Sequence, residues 1–199
     1  DRLYTENLDS KARKSAQTVM FDSLVALVKM VSPVLSFTAE EMWAAMPAIA
    51  RDADSVHLSS WYVENPEFIN AELDSKWDKI IKLRKEVNKV LEKARQGENR
   101  IIGNSLDAEV SLFIGNDEYK SLLADKELLE MIFIISKLNI VETKDDSFTE
   151  SEELKDISIK VAHATGEKCE RCWKYSEELG THEEHSTICP RCTGVLVNN

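Results

Sequence analysis

The sequence predicts a mainly α-helical chain with a smaller α+β part and a four-cysteine zinc ribbon near its C-terminal end. Two observations lead to this fold class. Apolar residues recur at three- and four-residue steps through most of the first 96 residues, which is typical of packed amphipathic helices. All four cysteines lie within the last 31 residues, in two pairs. We therefore expect a helical region at 1–97, a mixed α/β domain at 98–164 and a zinc-binding module at 165–199.

The first region contains three predicted helices. Ser10 is suited to cap the first helix, and Pro33 ends it. Thr38 with Glu41 three residues later forms a capping box for the second helix. The residues between 48 and 65 form a long connection with a short extended piece at 56–58. The three helices are predicted at about 11–31, 38–46 and 72–95.

The second region has mixed patterns. Alternating apolar residues predict strands at 106–114 and 157–162, and an apolar, β-branched stretch predicts part of a strand within 132–141. Residues 117–131 are expected to form one or two short helices, and 145–155 an acidic loop. The third region is too short to build a core of its own, so it needs a metal or disulfides to fold.

The charges of the chain are segregated. The formal net charge is −11, which on average argues against a nucleic-acid binder. From Lys76 to Arg95, however, there are eight basic and three acidic residues. From Asp117 to Asp156 there are twelve acidic and five basic residues. An acidic protein can still present one basic face to RNA. The outward lysines of the third helix, Lys82, Lys85 and Lys89 among them, are thus either a solvated surface or contacts to phosphates.

The cysteine spacing predicts a metal site. Cys169 and Cys172 form one C-x2-C pair, Cys189 and Cys192 form another, and sixteen residues separate the pairs. Each pair can present two sulfurs about 4 Å apart, the edge of a tetrahedron around Zn²⁺. Four protein ligands leave no open position, so the zinc is expected to be one structural ion. Disulfides, a redox C-x-x-C or a ligand from His182 or His185 are alternatives that fit less well.

Trp173 directly follows a cysteine and lies between Arg171 and Lys174. Its ring either packs over the metal module or offers a platform for a nucleobase. Packing is the expectation from physical grounds alone, because so small a module needs apolar cover.

Several classes of protein are not indicated. The chain has no apolar run near the ~20 residues that span a bilayer, and its first residues do not have the pattern of a signal peptide. No phosphate-cradling Gly-rich loop, nucleophile elbow or His-Glu-x-x-His motif occurs. We expect a cytoplasmic protein without a membrane partner and without catalytic residues in this chain.

Eight stretches of the chain resemble a known family. The helical motifs resemble the anticodon-binding helices of class I aminoacyl-tRNA synthetases. The next segments and the cysteine motifs resemble those of the bacterial isoleucyl-tRNA synthetases. The matching stretches are Asp1-Arg2-Leu3-Tyr4, residues 13–19, residues 36–43, residues 55–61, residues 84–89, residues 102–108, Lys168-Cys169-Glu170-Arg171-Cys172-Trp173 and Cys189-Pro190-Arg191-Cys192.

The resemblance implies a truncated anticodon-binding helix bundle, a mixed junction domain and a zinc module of an isoleucine–tRNA ligase. The family's His-x-Gly-His and Lys-Met-Ser-Lys-Ser signatures are absent here, so ATP and Mg²⁺ would be bound by a catalytic domain outside this chain. The implied partners are an isoleucine-specific tRNA and the remainder of the synthetase. Trp173, with Arg171 and Lys174, becomes a candidate for base stacking. The alternative function is a zinc-ribbon module that binds a basic protein partner and no RNA.

Overall fold

A computed structural model describes residues 2–98 and 100–197. The chain forms two compact units, one extending to Ile69 and one running from Asn70 to Val197. The helical expectation is confirmed for the first unit and for the start of the second. The division at residues 97 and 164 is drawn on motifs and composition, and it stays a prediction.

The first unit consists of helices and short 3₁₀ turns. Ser10 accepts a hydrogen bond from the Arg13 N–H at 3.2 Å and caps the long second helix, as predicted. The helices are α1 (Arg2–Thr5), α2 (Lys11–Val31) and α3 (Ser36–Ala45), and the 3₁₀ turns are Ala48–Ala50, Val56–Leu58 and Pro66–Phe68.

A small core holds this unit together. It contains Trp43, which is fully buried and donates its indole N–H to the Ala53 carbonyl at 3.0 Å. Around it, Val28, Ala39 and Met46 are buried. Much of the apolar stripe of α2 is solvent-exposed instead, and Met20, which the helical pattern would bury, is 56% exposed.

The second unit begins with a long amphipathic helix that packs on a four-stranded sheet. The helix, α4 (Ala71–Arg95), is capped by Asn70, whose side chain accepts the Leu73 N–H at 2.9 Å. The strands are β1 (Ala108–Ile114), β2 (Lys137–Val141), β3 (Thr149–Glu150) and β4 (Ile157–His163), and the helices between β1 and β2 are α5 (Asp117–Lys120) and α6 (Lys126–Phe133).

The sheet has the order β2-β1-β4-β3. β1 pairs in parallel with β2, with Val110 opposite Leu138, and antiparallel with β4, with Val110 opposite Val161. As the alternating pattern predicts, every second residue of β1 is buried. These residues join the inner face of α4 and one face of α6 in one apolar core.

The last part of this unit contains little regular secondary structure. A small hairpin of β5 (Glu167–Lys168) and β6 (Tyr175–Ser176) precedes a 3₁₀ turn and the helix α7 (Pro190–Val197). The cysteines form their own small cluster rather than joining the core of the sheet. Across the described ranges, 2–98 and 100–197, no helix is long and apolar enough to span a membrane.

Candidate functional site

The four cysteines converge on one point. Their sulfur atoms all lie within 4.8 Å of one another, and the Sγ atoms of Cys172 and Cys189 are 3.7 Å apart. A tetrahedron of sulfurs around zinc has an edge of about 3.8 Å when Zn–S is about 2.3 Å. Cys169, Cys189 and Cys192 are buried and Cys172 is half-buried. The cysteines are thus positioned for one metal ion.

The first pair is held by a tight turn after β5. The backbone N–H of Cys169 donates to the Lys174 carbonyl at 2.9 Å, and the N–H of Trp173 donates to the Cys169 carbonyl at 2.9 Å. Just upstream, Gly166 has a φ of +90°, and a Cβ at this position would lie 2.3 Å from the Ser176 carbonyl oxygen. The hairpin that carries this turn therefore requires glycine.

The second pair is held by the start of α7. Cys189 precedes Pro190, the first residue of that helix, where proline's missing N–H costs no hydrogen bond. The N–H of Thr193 donates to the Cys189 carbonyl at 3.0 Å, which places Cys192 within the same turn. The N–H of Cys189 in turn donates to the Sγ of Cys169 at 3.3 Å, so the two pairs are joined directly.

The chemistry of this donor set fits zinc. All four cysteines are free thiols. A hydrogen bond from the Cys172 thiol, aided by the Cys192 backbone N–H, outweighs burial and lowers the pKa of Cys189 to about 4. The same hydrogen bond raises the pKa of Cys172, and burial raises that of Cys192, so the cluster favours a thiolate at Cys189 and a metal must displace the protons of the other two. Four soft sulfur ligands in a closed arrangement are typical of a structural zinc ion, and the rings of His182 and His185 stack on each other beside a set that is already complete.

Trp173 does not cover the metal module. Its side chain is 59% exposed, and its backbone has a φ of +64°, in the left-handed region. Packing, the expectation from physical grounds alone, is therefore wrong for this residue. An unusual backbone conformation that holds an aromatic ring in solvent is the kind of strain found at binding sites.

The neighbours of Trp173 are partly engaged elsewhere. The Lys174 Nζ lies 3.9 Å from the Glu130 Oε2, and both side chains are largely buried. Arg171 hydrogen-bonds the sulfur of Cys192, where it favours the thiolate. Arg171 thus helps to balance the charge of the sulfur cluster, and neither cation is a freely solvated side chain.

The three lysines predicted on α4 differ in their surroundings. Lys82 and Lys85 are exposed and form no ion pair with any residue in 2–98 or 100–197. Lys89 instead lies 2.7 Å from Glu86, 3.4 Å from Glu152 and 3.0 Å from Glu153. Its positive charge is therefore already neutralised within the molecule.

Glu86 is a buried partner of Lys89 that the sequence patterns did not identify. It is 2% exposed and accepts hydrogen bonds from the Ser151 hydroxyl and from the Glu152 N–H, the latter at 2.8 Å. Burial alone would raise its pKa, but the hydrogen bonds from Lys89, Ser151 and the backbone amides lower it to about 2. The available signal was a glutamate inside the apolar stripe of α4, between Leu83 and Val87.

The comparisons with known proteins agree with this geometry. Residues 1–112 match the family described as the anticodon-binding domain of tRNA ligase, and residues 166–193 match a zinc finger found in FPG and IleRS. The isoleucine–tRNA ligase of Desulforamulus reducens is 43% identical over 198 residues, which is 98% of this chain and 21% of that protein. Those of Kosmotoga olearia and Thermotoga petrophila are 41% and 43% identical over similar spans.

The chain thus spans about a fifth of the length of the curated relatives it matches. The first family match covers the helices up to the start of the sheet. The second covers the four-cysteine cluster. The first of them covers more than half of the chain. On this ground the chain belongs to the family of anticodon-binding domains of tRNA ligases.

Proposed function

We propose that this chain is the part of an isoleucine–tRNA ligase that recognises the anticodon region of its tRNA in the cytoplasm. The observation that carries the proposal is the succession, within one chain, of an anticodon-binding match and a converged four-sulfur site of the zinc-finger type. The whole enzyme would attach isoleucine to its tRNA with ATP. ATP and Mg²⁺ would be bound by its catalytic domain.

The zinc ligands in this proposal are Cys169, Cys172, Cys189 and Cys192. Zinc supplies a permanent cross-link between the two turns that carry these sulfurs. Because the module has only a small apolar cluster of its own, the metal would provide most of its folding energy, on the order of 10 kcal/mol. The ion would thereby fix the position of Trp173.

The proposed roles follow the three regions at 1–97, 98–164 and 165–199. Basic helix faces contact the phosphates of the anticodon stem, and the mixed domain and zinc module contact bases. Trp173 is the proposed stacking platform, with Arg171 and Lys174 beside it. Its exposed ring supports this role, since an exposed indole can stack on any base at a contribution of about 1–3 kcal/mol.

The alternative, a zinc-ribbon module that binds a basic protein, has less support. It relies on the acidic residues around 117–156 being available to a partner. Several of their carboxylates, those of Glu118, Asp125, Glu152 and Glu153, already face lysines of α4 within the same unit.

A binding titration tests the proposal. The 199-residue chain, loaded with zinc, is titrated at fixed salt with an isoleucine tRNA and with a tRNA of another specificity. We expect tighter binding of the isoleucine tRNA, and a roughly tenfold loss for Trp173→Ala from the removed stacking contact. Trp61→Ala is the matched control, because Trp61 is also exposed but lies far from the cysteines in the sequence. Equal affinity for both tRNAs would contradict isoleucine specificity, and no measurable binding would contradict the tRNA role.

A further inference from the structure

The cations of α4 fall into two groups that the sequence does not distinguish. Eight basic residues lie along this helix, and most of them face a carboxylate. The ion pairs, with their N–O distances, are Lys76–Asp125 at 3.8 Å, Lys79–Glu118 at 3.4 Å, Lys89–Glu153 at 3.0 Å, Lys93–Glu152 at 3.9 Å and Arg95–Glu92 at 2.9 Å.

The remaining three cations are consecutive in the series. Lys82, Arg84 and Lys85 are exposed, and within the part of the chain that the structure describes none of them has a carboxylate partner. We refer to them as the cation triplet. Helical geometry places Lys85 opposite the buried Leu83 and Val87, with Lys82 about 60° to one side of it and Arg84 about 100° to the other. The triplet therefore spans the solvent-exposed side of the helix, with Lys85 at its centre.

The surroundings of the triplet are suited to a ligand. Ile81, beside it, is 49% exposed, and the exposed amide of Asn88 follows one turn after Arg84. In a protein with a net charge of −11, three adjacent uncompensated cations create a local positive field. Arginine and lysine with a nearby amide form a donor set that matches phosphate oxygens.

We infer that the cation triplet is the surface of α4 that contacts the phosphate backbone of RNA, and that Lys89 and the other paired lysines do not belong to it. This inference rests on the proposed function and specifies where that function contacts its partner. It adds Arg84 to the contacts expected from the sequence and removes Lys89.

The acidic residues of the second unit have a definite role in this view. The lysines that flank the triplet along the helix form ion pairs with Glu118, Asp125, Glu152 and Glu153. Without these carboxylates, α4 would present an extended basic surface that binds any polyanion. With them, phosphate binding is confined to a short segment, which imposes a register on the bound RNA.

The test compares two triple variants of equal charge change. Lys82→Gln/Arg84→Gln/Lys85→Gln removes the triplet, and Lys76→Gln/Lys79→Gln/Lys93→Gln removes three paired lysines of the same helix. Glutamine retains helix propensity, and circular dichroism and zinc content verify the fold of each variant. The probe is the isolated anticodon stem-loop of an isoleucine tRNA, and the measured quantity is the slope of log K against log salt.

We expect the slope of the triplet variant to be less steep by about 2, since each lost phosphate contact contributes about 0.7–0.9 to its magnitude. The slope of the paired-lysine variant should stay within about 0.5 of wild type. An equal change of slope in both variants, or an unchanged slope for the triplet variant, would overturn the inference. The proposed function would still stand in that case, because the wild-type chain binds the stem-loop. If the wild-type chain binds no stem-loop at any salt, the proposed function and the inference both fail.

Discussion

Glu86 shows how a single carboxylate can organise distant segments. It lies on the inner side of α4, yet its hydrogen-bond partners Ser151 and Glu152 follow β3, more than 60 residues later. Only Lys89, one turn away, is a local partner. Sequence spacing reveals contacts within a turn, as it did for the cysteines, whose pairing depends on a two-residue gap. It cannot reveal a contact that the tertiary fold creates.

The first prediction concerns Glu86→Gln, which removes the buried charge but keeps the shape. The pKa of Glu86 is lowered from its ordinary 4.5 to about 2, so its ionised form is more stable in the folded than in the unfolded chain. We expect a loss of about 2–3 kcal/mol in unfolding free energy at pH 7, measured by urea denaturation.

This effect has a defined pH dependence. Above pH 4.5 the full contribution of Glu86 is present, and it is lost as the pH falls from there towards about 2. The difference between wild type and Glu86→Gln should therefore shrink over this range. Glu92→Gln is the control, because Glu92 is an exposed glutamate on the same helix. A difference that is constant from pH 7 to pH 3 would contradict the assignment.

At the scale of elements, long periodic helices and the alternating strands were predictable. The helix at 72–95 and the strand at 157–162 match α4 and β4 to within a residue or so. The start of α3 was not predictable, because the helix begins at Ser36 rather than at the expected Thr38 cap. The connection after α2 is a tight turn in which Leu35 donates to the Val31 carbonyl at 2.8 Å. The Leu35 carbonyl in turn accepts the Ala39 N–H at 2.8 Å, so α3 starts at Ser36 without a side-chain cap.

The extended piece expected at 56–58 is instead the 3₁₀ turn Val56–Leu58. The physical reason is again a distant partner. Glu40 of α3 accepts hydrogen bonds from the Ser55 hydroxyl at 2.9 Å and from the Val56 N–H at 3.1 Å. These bonds fold the backbone against α3, and nothing in the local sequence indicates them.

The second prediction concerns the zinc module as an element. Its buried cluster of cysteines is separate from the core around α4 and the sheet. Removal of zinc by a chelator should therefore abolish hydrogen-exchange protection at 166–193 and leave that of β1 and β4 intact. Re-addition of zinc should restore the protection, but not in Cys192→Ser. Simultaneous loss of protection in β1 would show that the module and the sheet fold as one.

At the scale of the whole molecule, the two units differ in the size of their cores. Among the described residues, the core of the first unit contains five buried apolar side chains, whereas that of the second contains eighteen. Buried apolar area is the main source of stability. The first unit should thus be much the less stable of the two.

The third prediction follows from this difference. In rising urea, native-state hydrogen exchange should show α2 and α3 opening at lower concentrations than α4 and β1. Trp43→Ala removes the largest side chain of the small core. It should lower the opening free energy of α2 and α3 by about 3–5 kcal/mol and leave that of α4 and β1 unchanged. A single transition shared by all four elements would contradict the prediction.

The ion pairs along α4 also constrain how this protein can diverge. Lys89 and its partners Glu152 and Glu153 lie in segments more than 60 residues apart. Loss of the lysine would leave two acidic groups repelling each other beside a buried carboxylate. Loss of the glutamates would leave Lys89 with Glu86 as its one remaining partner among the described residues and make the surface next to the triplet more positive. Among descendants of one ancestor, substitutions at these positions should therefore arise in compensating pairs.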